Sequence, residues 1–425
     1  MADFELITEA KQLKALVKEL RQEPIVAVDT EADSFYHYFD KTCLVQMGTR
    51  KKTWLVDPLA LGGPAELAPL GPIFADPKIR ILFHAAEYDI FILKRDCGFS
   101  FSNLFDTMLS AQLLGYPSVG LAALVEHHFD KRLPKDEQKS DWSRRPLTEK
   151  QLEYAATDVI YLIRLSEKLE RELKQKNRLD WAQHEFSTLV DREWPEREFD
   201  KLGYLKIKGA KLLDPTSLSV LRELYLVRDA RAREIDRPPF KVLGNRTLIE
   251  LANERPTDLA GFIRIKGVTE LILRRMGNGI AQAIEKGSKK PHGPIPKQTN
   301  GNVRRRMDRQ MERRLGRLKA WRAPRARELE IDPGVLAPNT SLEAISIANP
   351  ASLKELEQIT EVKKWFAESF GAEVLELVTD SGRGTEEEAT CPREAPKSSS
   401  SGPSRRRRRR RAASGPAPTK ERPDK

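Results

Sequence analysis

Cysteine is scarce. Three occur in 425 residues, Cys43, Cys97 and Cys391, at spacings that match neither a disulfide framework nor a zinc site. A reducing compartment, the cytoplasm, is therefore expected. No apolar run approaches the ~20 residues needed to cross a bilayer, so no membrane partner is expected. The opening Met-Ala-Asp-Phe-Glu-Leu carries early acids and lacks the apolar stretch of a secretory signal. Apolar residues still make up 39% of the chain, enough for cores in two or three domains.

Charge is abundant and unevenly placed. The net +11 divides into −7 over residues 1–200, +17 over 201–330, −7 over 331–397 and +8 over 398–425. An acidic body joined to a basic region suits a protein that acts on a polyanion. The basic part supplies the phosphate attraction that the acidic part lacks.

The chain is organised around Val26-Ala27-Val28-Asp29-Thr30-Glu31. The apolar run reads as a buried strand starting after Pro24. Carboxylates at i and i+2 then share one face of it. Like charges held together away from water repel strongly, and a divalent cation is the commonest reason to pair them. A strand end that reaches solvent would tolerate them too, and the pair alone does not decide. Further strands are expected at 43–48, 53–57 and 79–84, and helices near 65–74, 87–95, 104–114, 121–128 and 148–173. Strands first and helices later suggest a mixed sheet in an α/β domain.

More acids fall in register with these elements. Asp89 opens the helix after the strand 79–84. Asp106 precedes Thr107-Met108-Leu109 and reads as a helix N-cap. Tyr154 and Asp158, at i and i+4, share a helix face. Singly, Asp89 could be a cap, Tyr154 a core residue and Asp158 a solvated acid.

As an ordered set these residues resemble a known family. "VAVDTEADSFY" with "CLVQMGT" and "WLVDPLAL", then "ILFHAAEYDIFILKRDCG" with "NLFDTMLSAQLLG", then "KSDWSRRPLTEKQLEYAATDVIYLIRL" resemble ribonuclease D. That family belongs to the DEDD superfamily of 3′→5′ exonucleases, in the branch whose third motif carries a tyrosine. The likeness covers most of residues 20–170. Ala85 and Ala86 depart from the Asn or Asp that some relatives carry there, at positions that bind no metal. The resemblance implies a ribonuclease H-like mixed-sheet exonuclease domain and a two-metal phosphodiesterase using Mg²⁺ or Mn²⁺. By that likeness Asp29 bridges both ions, Glu31 and Asp158 complete one site and Asp89 holds the second. Tyr154 orients or deprotonates the attacking water. Substrate contacts are expected at Thr30, Gln46, His84, Arg145 (or Arg144) and Lys266. Trp142 reads as core.

Beyond residue 180 the pattern becomes helical, and a repeat appears. Residues 231–268 align without gaps on 325–362, at an offset of 94, with Arg231, Ala232, Arg233, Glu234 and Pro256 identical to Arg325, Ala326, Arg327, Glu328 and Pro350. Through "DRPPFKVLGNRTLIELA" and "IKGV", the first copy resembles the HRDC domain, a small helical bundle that holds nucleic acid. The second copy is net acidic and replaces Lys266-Gly267 by Thr360-Glu361, so a packing or protein-binding role is expected of it.

The expected organisation is an exonuclease domain (1–180), a helical connector (181–214), an HRDC domain (215–290), a basic linker (291–310), a diverged HRDC-like domain (311–380) and a disordered Arg-rich tail (381–425). The expected activity is 3′→5′ exoribonuclease on structured RNA 3′ ends such as tRNA precursors, releasing nucleoside 5′-monophosphates. A 3′→5′ DNA exonuclease and a non-catalytic nucleic-acid-binding protein are the alternatives, and the retained acids and tyrosine argue against the last.

Overall fold

A computed structural model describes residues 3–134, 136–194, 199–293 and 308–379. The Arg-rich tail and most of the basic linker expected from sequence lie outside these.

The first part is a six-stranded mixed sheet with helices packed on it. In chain order it comprises β1 (Glu5–Ile7), α1 (Ala10–Leu20), β2 (Ile25–Ala32), β3 (Thr42–Gly48), β4 (Thr53–Val56), β5 (Arg80–Phe83), α2 (Glu87–Cys97), β6 (Leu104–Asp106) and α3 (Thr107–Leu114). It continues through α4 (Leu121–Phe129), α5 (Glu149–Ile160), α6 (Leu162–Gln175) and α7 (Leu179–Asp191). The sheet order is β1-β4-β3-β2-β5-β6. The β2–β3–β4 pairs are antiparallel, while β1 on β4, β5 on β2 and β6 on β5 are parallel.

Three details differ from the sequence reading. Leu104–Asp106 is an edge strand and not the start of a helix, because its backbone pairs in parallel with β5. The expected helix over 148–173 is two, meeting at Tyr161. The segment 65–74 forms a 3-10 helix, Pro64–Leu70, and a short α-helix, Gly71–Ala75, consistent with the ring of Pro69 breaking i→i−4 bonding.

The two repeats fold alike. The first has α8 (Pro215–Glu234), α9 (Asn245–Glu254) and α10 (Glu270–Lys289). The second has α11 (Arg309–Glu328), α12 (Asn339–Ala348) and α13 (Lys364–Thr379). Each pair starts 94 residues apart. The left-handed corners obey the same offset, with Asp236 at φ 46° answering Glu330 at φ 55°.

The copies differ in what they pack on. The second shares one continuous apolar core with the exonuclease domain, in which Leu318, Trp365, Phe366 and Val374 join the core of the sheet and its helices. Trp181 of α7 stacks on Trp365 at 4.5 Å. Arg178 donates to Leu329 O and Leu113 O, stitching the two parts together. The packing role expected of this copy is thus filled by the exonuclease domain itself. The first copy has its own core, against which Tyr38 of the exonuclease domain packs.

Candidate active site

Val26, Ala27 and Val28 are fully buried, and they anchor β2 in the middle of the sheet. Asp29 and Glu31 leave it on one face, opposite Gln46 and Leu44 of β3. Helix α5 covers that face. It is started by a reciprocal capping box, with Thr148 Oγ1 accepting from Gln151 N and Gln151 Oε1 accepting from Thr148 N. Its i, i+4 pair Tyr154 and Asp158 then faces the strand acids. Carboxylate oxygens of Asp29, Glu31 and Asp158 all lie within 4.8 Å of one another.

The electrostatics of this trio are strained. Burial, then the charge of Asp158, hold the Asp29 carboxyl well above the ordinary range. Burial and the charges of Asp29, Asp158 and Asp89 do the same to Glu31. Burial pushes Asp158 up to about 7, against the Tyr154 hydroxyl that pulls it down. Three oxygen donors that repel one another and face one point fit a hard divalent cation. With no His or Cys among them, they fit Mg²⁺ or Mn²⁺ better than zinc.

Asp89 stands apart from the trio. It sits in the first turn of α2, 7% exposed. It accepts from Thr30 Oγ1 at 2.5 Å, and burial and the charge of Asp29 raise its pKa. Thr30 lines the cleft; its hydroxyl proton goes to Asp89, which leaves the oxygen as an acceptor.

Asp106 does more than cap. Its carboxylate accepts from Met108 N and Leu109 N of α3 and also from Ala85 N and Ala86 N. It thereby fixes the turn that carries α2 and Asp89, with Ala85 held at φ 65°. A cap reading from local sequence could not see the second pair of bonds, which spans about twenty residues.

The cleft encloses about 480 Å³ and is lined by the trio, Tyr154, Thr30 and His84 among others. Burial lowers the His84 pKa to about 4, so its ring is neutral. Thr107 Oγ1 spends its proton on Phe83 O, so His84 Nδ1 is the donor in the 2.9 Å contact to Thr107. That leaves His84 Nε2 as an acceptor. Tyr154 is 9% exposed and packs on Trp142, itself 1% exposed and core as expected. Burial and the acids Asp158, Glu31 and Asp29 push the Tyr154 phenol well above its usual range. In the ion-free site it therefore keeps its proton and can orient a water.

Three expected substrate contacts lie elsewhere. Arg145 is locked into the fold, donating to both oxygens of Asp57 at 2.6 and 2.7 Å and to Cys43 O, Trp142 O and Arg144 O. Its fork has nothing left for a phosphate, whereas Arg144 is 82% exposed. Gln46 is fully buried and does not line the cleft; neither of its amide atoms has a partner. Such a group ordinarily costs about 1–3 kcal/mol. Lys266 is exposed in the first helical copy and is not part of the cleft lining; its carbonyl accepts from Thr247 Oγ1.

Sequence reading missed the opposite wall, formed by Gly120, Leu121, Ala122, Ala123, Leu133, Pro134 and Gln138. Gly120 begins α4 without a side-chain cap, and small side chains follow. The signal was there, a helix opening Gly-Leu-Ala-Ala with no Ser, Thr, Asp or Asn to satisfy its first amides.

Comparison with known proteins gives the family. A 3′-5′ exonuclease family model matches residues 4–174, and an HRDC domain model matches 217–284 and 311–378. Ribonuclease D of Gluconacetobacter diazotrophicus is 31% identical over 378 residues, covering 88% of this chain and 92% of that protein. The crystal structure of Escherichia coli RNase D, described as an exoribonuclease involved in structured RNA processing, superposes with TM-score 0.63. It is 25% identical and covers 90% of this chain and all of that one. The catalytic core of RRP6 from Trypanosoma brucei superposes with TM-score 0.62, at 29% identity over 68% of this chain and 80% of that one. The exonuclease and HRDC models, with the match to ribonuclease D along 88% of the chain, place it in the ribonuclease D family of 3′→5′ exoribonucleases.

Proposed function

We propose that the chain trims structured RNA, tRNA precursors among them, from the 3′ end by metal-dependent hydrolysis that releases nucleoside 5′-monophosphates. The convergence of Asp29, Glu31 and Asp158 oxygens within 4.8 Å carries this reading. Asp29, Glu31, Asp158 and Asp89 hold two divalent ions, Mg²⁺ or Mn²⁺. Such ions supply a lowered pKa for the attacking water and stabilise charge on the departing 3′ oxygen. Tyr154 would orient that water toward the phosphorus. His84 Nε2 offers an acceptor at the cleft wall. The uncapped start of α4 presents backbone amides suited to phosphate oxygens. The exposed cations of the first HRDC domain, Lys266 among them, hold the RNA body. The domain limits expected from sequence divide this labour, and the cytoplasm is the compartment proposed. Among the described residues no helix is long and apolar enough to cross a membrane.

Structured RNA is favoured over DNA because the E. coli relative is described as an exoribonuclease of structured RNA processing. The test incubates purified protein and Mg²⁺ or Mn²⁺ with matched RNA and DNA oligonucleotides, each free or blocked at the 3′ end, and with a tRNA carrying a 3′ extension. Mononucleotides from free RNA ends, lost with EDTA, are expected. Release from blocked ends, or a preference for DNA, would overturn it.

A further inference from the structure

Gln46 is fully buried in the middle of the sheet, and both its amide atoms lack hydrogen-bond partners. The antiparallel register sets it directly across from Asp29 on one side and from Leu55 on the other. Directly opposed residues of such a pair project to one face, with Cβ atoms about 4.5–5.5 Å apart. Helix α5 closes that face. A Cβ on Gly48, two residues along β3, would already meet Val159 at 3.3 Å. Ala155 and Ala156, fully buried in α5, offer no side-chain hydrogen bond. An amide in this place has Asp29 and Leu55 as its cross-strand neighbours, on the face that α5 closes.

We propose that Gln46 is a positioning residue for Asp29, its carboxamide N–H₂ donating to the Asp29 carboxylate when the site holds its ions. The inference rests on the two-ion reading given above. An ionised carboxylate has about four acceptor sites, and ions leave some of them open. A donor there fixes the orientation of Asp29. The donor has to be neutral, since Lys or Arg at position 46 would satisfy the acids itself and repel the ions. Outer partners of metal-ligating groups commonly change metal affinity by about 10–100-fold when removed.

The experiment uses the full chain and Mn²⁺ alone. Binding is followed by calorimetric titration, and melting temperature is read with and without Mn²⁺. In the parent, Mn²⁺ should bind and raise the melting temperature, and Asp29→Asn should remove both effects. If the parent shows no Asp29-dependent binding, the two-ion reading fails and the role of Gln46 falls with it. Gln46→Met keeps the volume and drops the amide. Its ion-free melting temperature should equal or exceed the parent's, while its Mn²⁺ affinity falls about tenfold. Parental affinity in Gln46→Met would overturn the proposal and leave the two-ion reading standing. Should that variant not fold, Gln46→Asn retracts the amide by one methylene. A several-fold loss of Mn²⁺ affinity is expected of it, and parental affinity again overturns the proposal.

Discussion

His37 Nδ1 lies 2.6 Å from Asp236 Oδ2, across the border between the exonuclease domain and the first HRDC domain. The other Asp236 oxygen accepts from Tyr38 N and Phe39 N at 2.9 and 3.0 Å. Lys241 sits 3.6 Å over the Tyr36 ring. The loop leaving the acid-bearing strand is thus gripped from the helical domain. It also reaches the segment that leads into α5, through His37 Nε2 to Ser143 Oγ and Tyr36 OH to Lys139 O. Asp236→Ala should loosen both walls of the cleft. Its expected cost is about 1–3 kcal/mol of domain docking, together with a several-fold loss of turnover on a short oligonucleotide. Asp236→Asn, which keeps one acceptor oxygen, should lose less. Urea unfolding and single-turnover rates on a short RNA check this; unchanged turnover in Asp236→Ala would show that the grip does not reach the cleft.

The acid trio gives the ion-free protein a pH signature. Asp158 titrates near 3.8 when exposed and about 7 in the fold. Between those values the folded state holds the extra proton, so stability falls as pH rises. Above about 7 the whole penalty, on the order of 4 kcal/mol, is present until ions pair the acids. In EDTA, the melting temperature of Asp158→Asn relative to the parent should climb from near parity at about pH 4 to several degrees above it at about pH 8. A difference independent of pH would contradict the assignment. With Mn²⁺ at the higher pH the parent should recover the lost stability, and Asp158→Asn should not turn over RNA.

Tyr154→Phe removes the hydroxyl and its hydrogen bond to Asp158, while Trp142 still supports the ring. Turnover should drop about a hundredfold or more, with Mn²⁺ affinity close to the parent's. A parallel fall of affinity, with the rate per bound metal preserved, would make Tyr154 a support of Asp158 and not the group that directs the water.

Arg145 and Arg144 are neighbours with opposite expected phenotypes. Arg145→Ala strands the Asp57 carboxylate, 3% exposed overall, and should cost about 3 kcal/mol of stability. Arg144→Ala should leave the melting temperature alone and weaken RNA binding slightly, with a shallower salt slope. Thermal melts and binding at several salt concentrations separate the two. A stable Arg145→Ala with a changed slope would return Arg145 to the RNA surface.

The acids were legible in the sequence because their spacings are backbone periods. Two residues on a strand and four on a helix fix a shared face wherever the element sits. The offset of 94 was legible for a similar reason, since each copy repeats its own caps and corners. Arg145 and Gln46 were misread because their environments are set by distant chain. The fork of Arg145 closes on Asp57 and Cys43 O, 88 and 102 residues away. The burial of Gln46 depends on a helix that begins a hundred residues later. The edge strand Leu104–Asp106 gave no local sign of itself, being three residues long and continuous with an apolar helix. The wall at Gly120–Ala123 was passed over because the helix expected there opens on small and apolar side chains, which carry no chemistry of their own.

The stacking of Trp181 on Trp365 sets an order in time. Synthesis runs from the N-terminus, so the strand acids, Asp89, Tyr154 and Asp158 are all made long before the second helical copy. Yet Trp365, Phe366, Phe370 and Val374 complete the core on which the catalytic sheet rests. A nascent chain therefore carries all its catalytic side chains before the aromatic cluster of the second copy exists to cover Trp181.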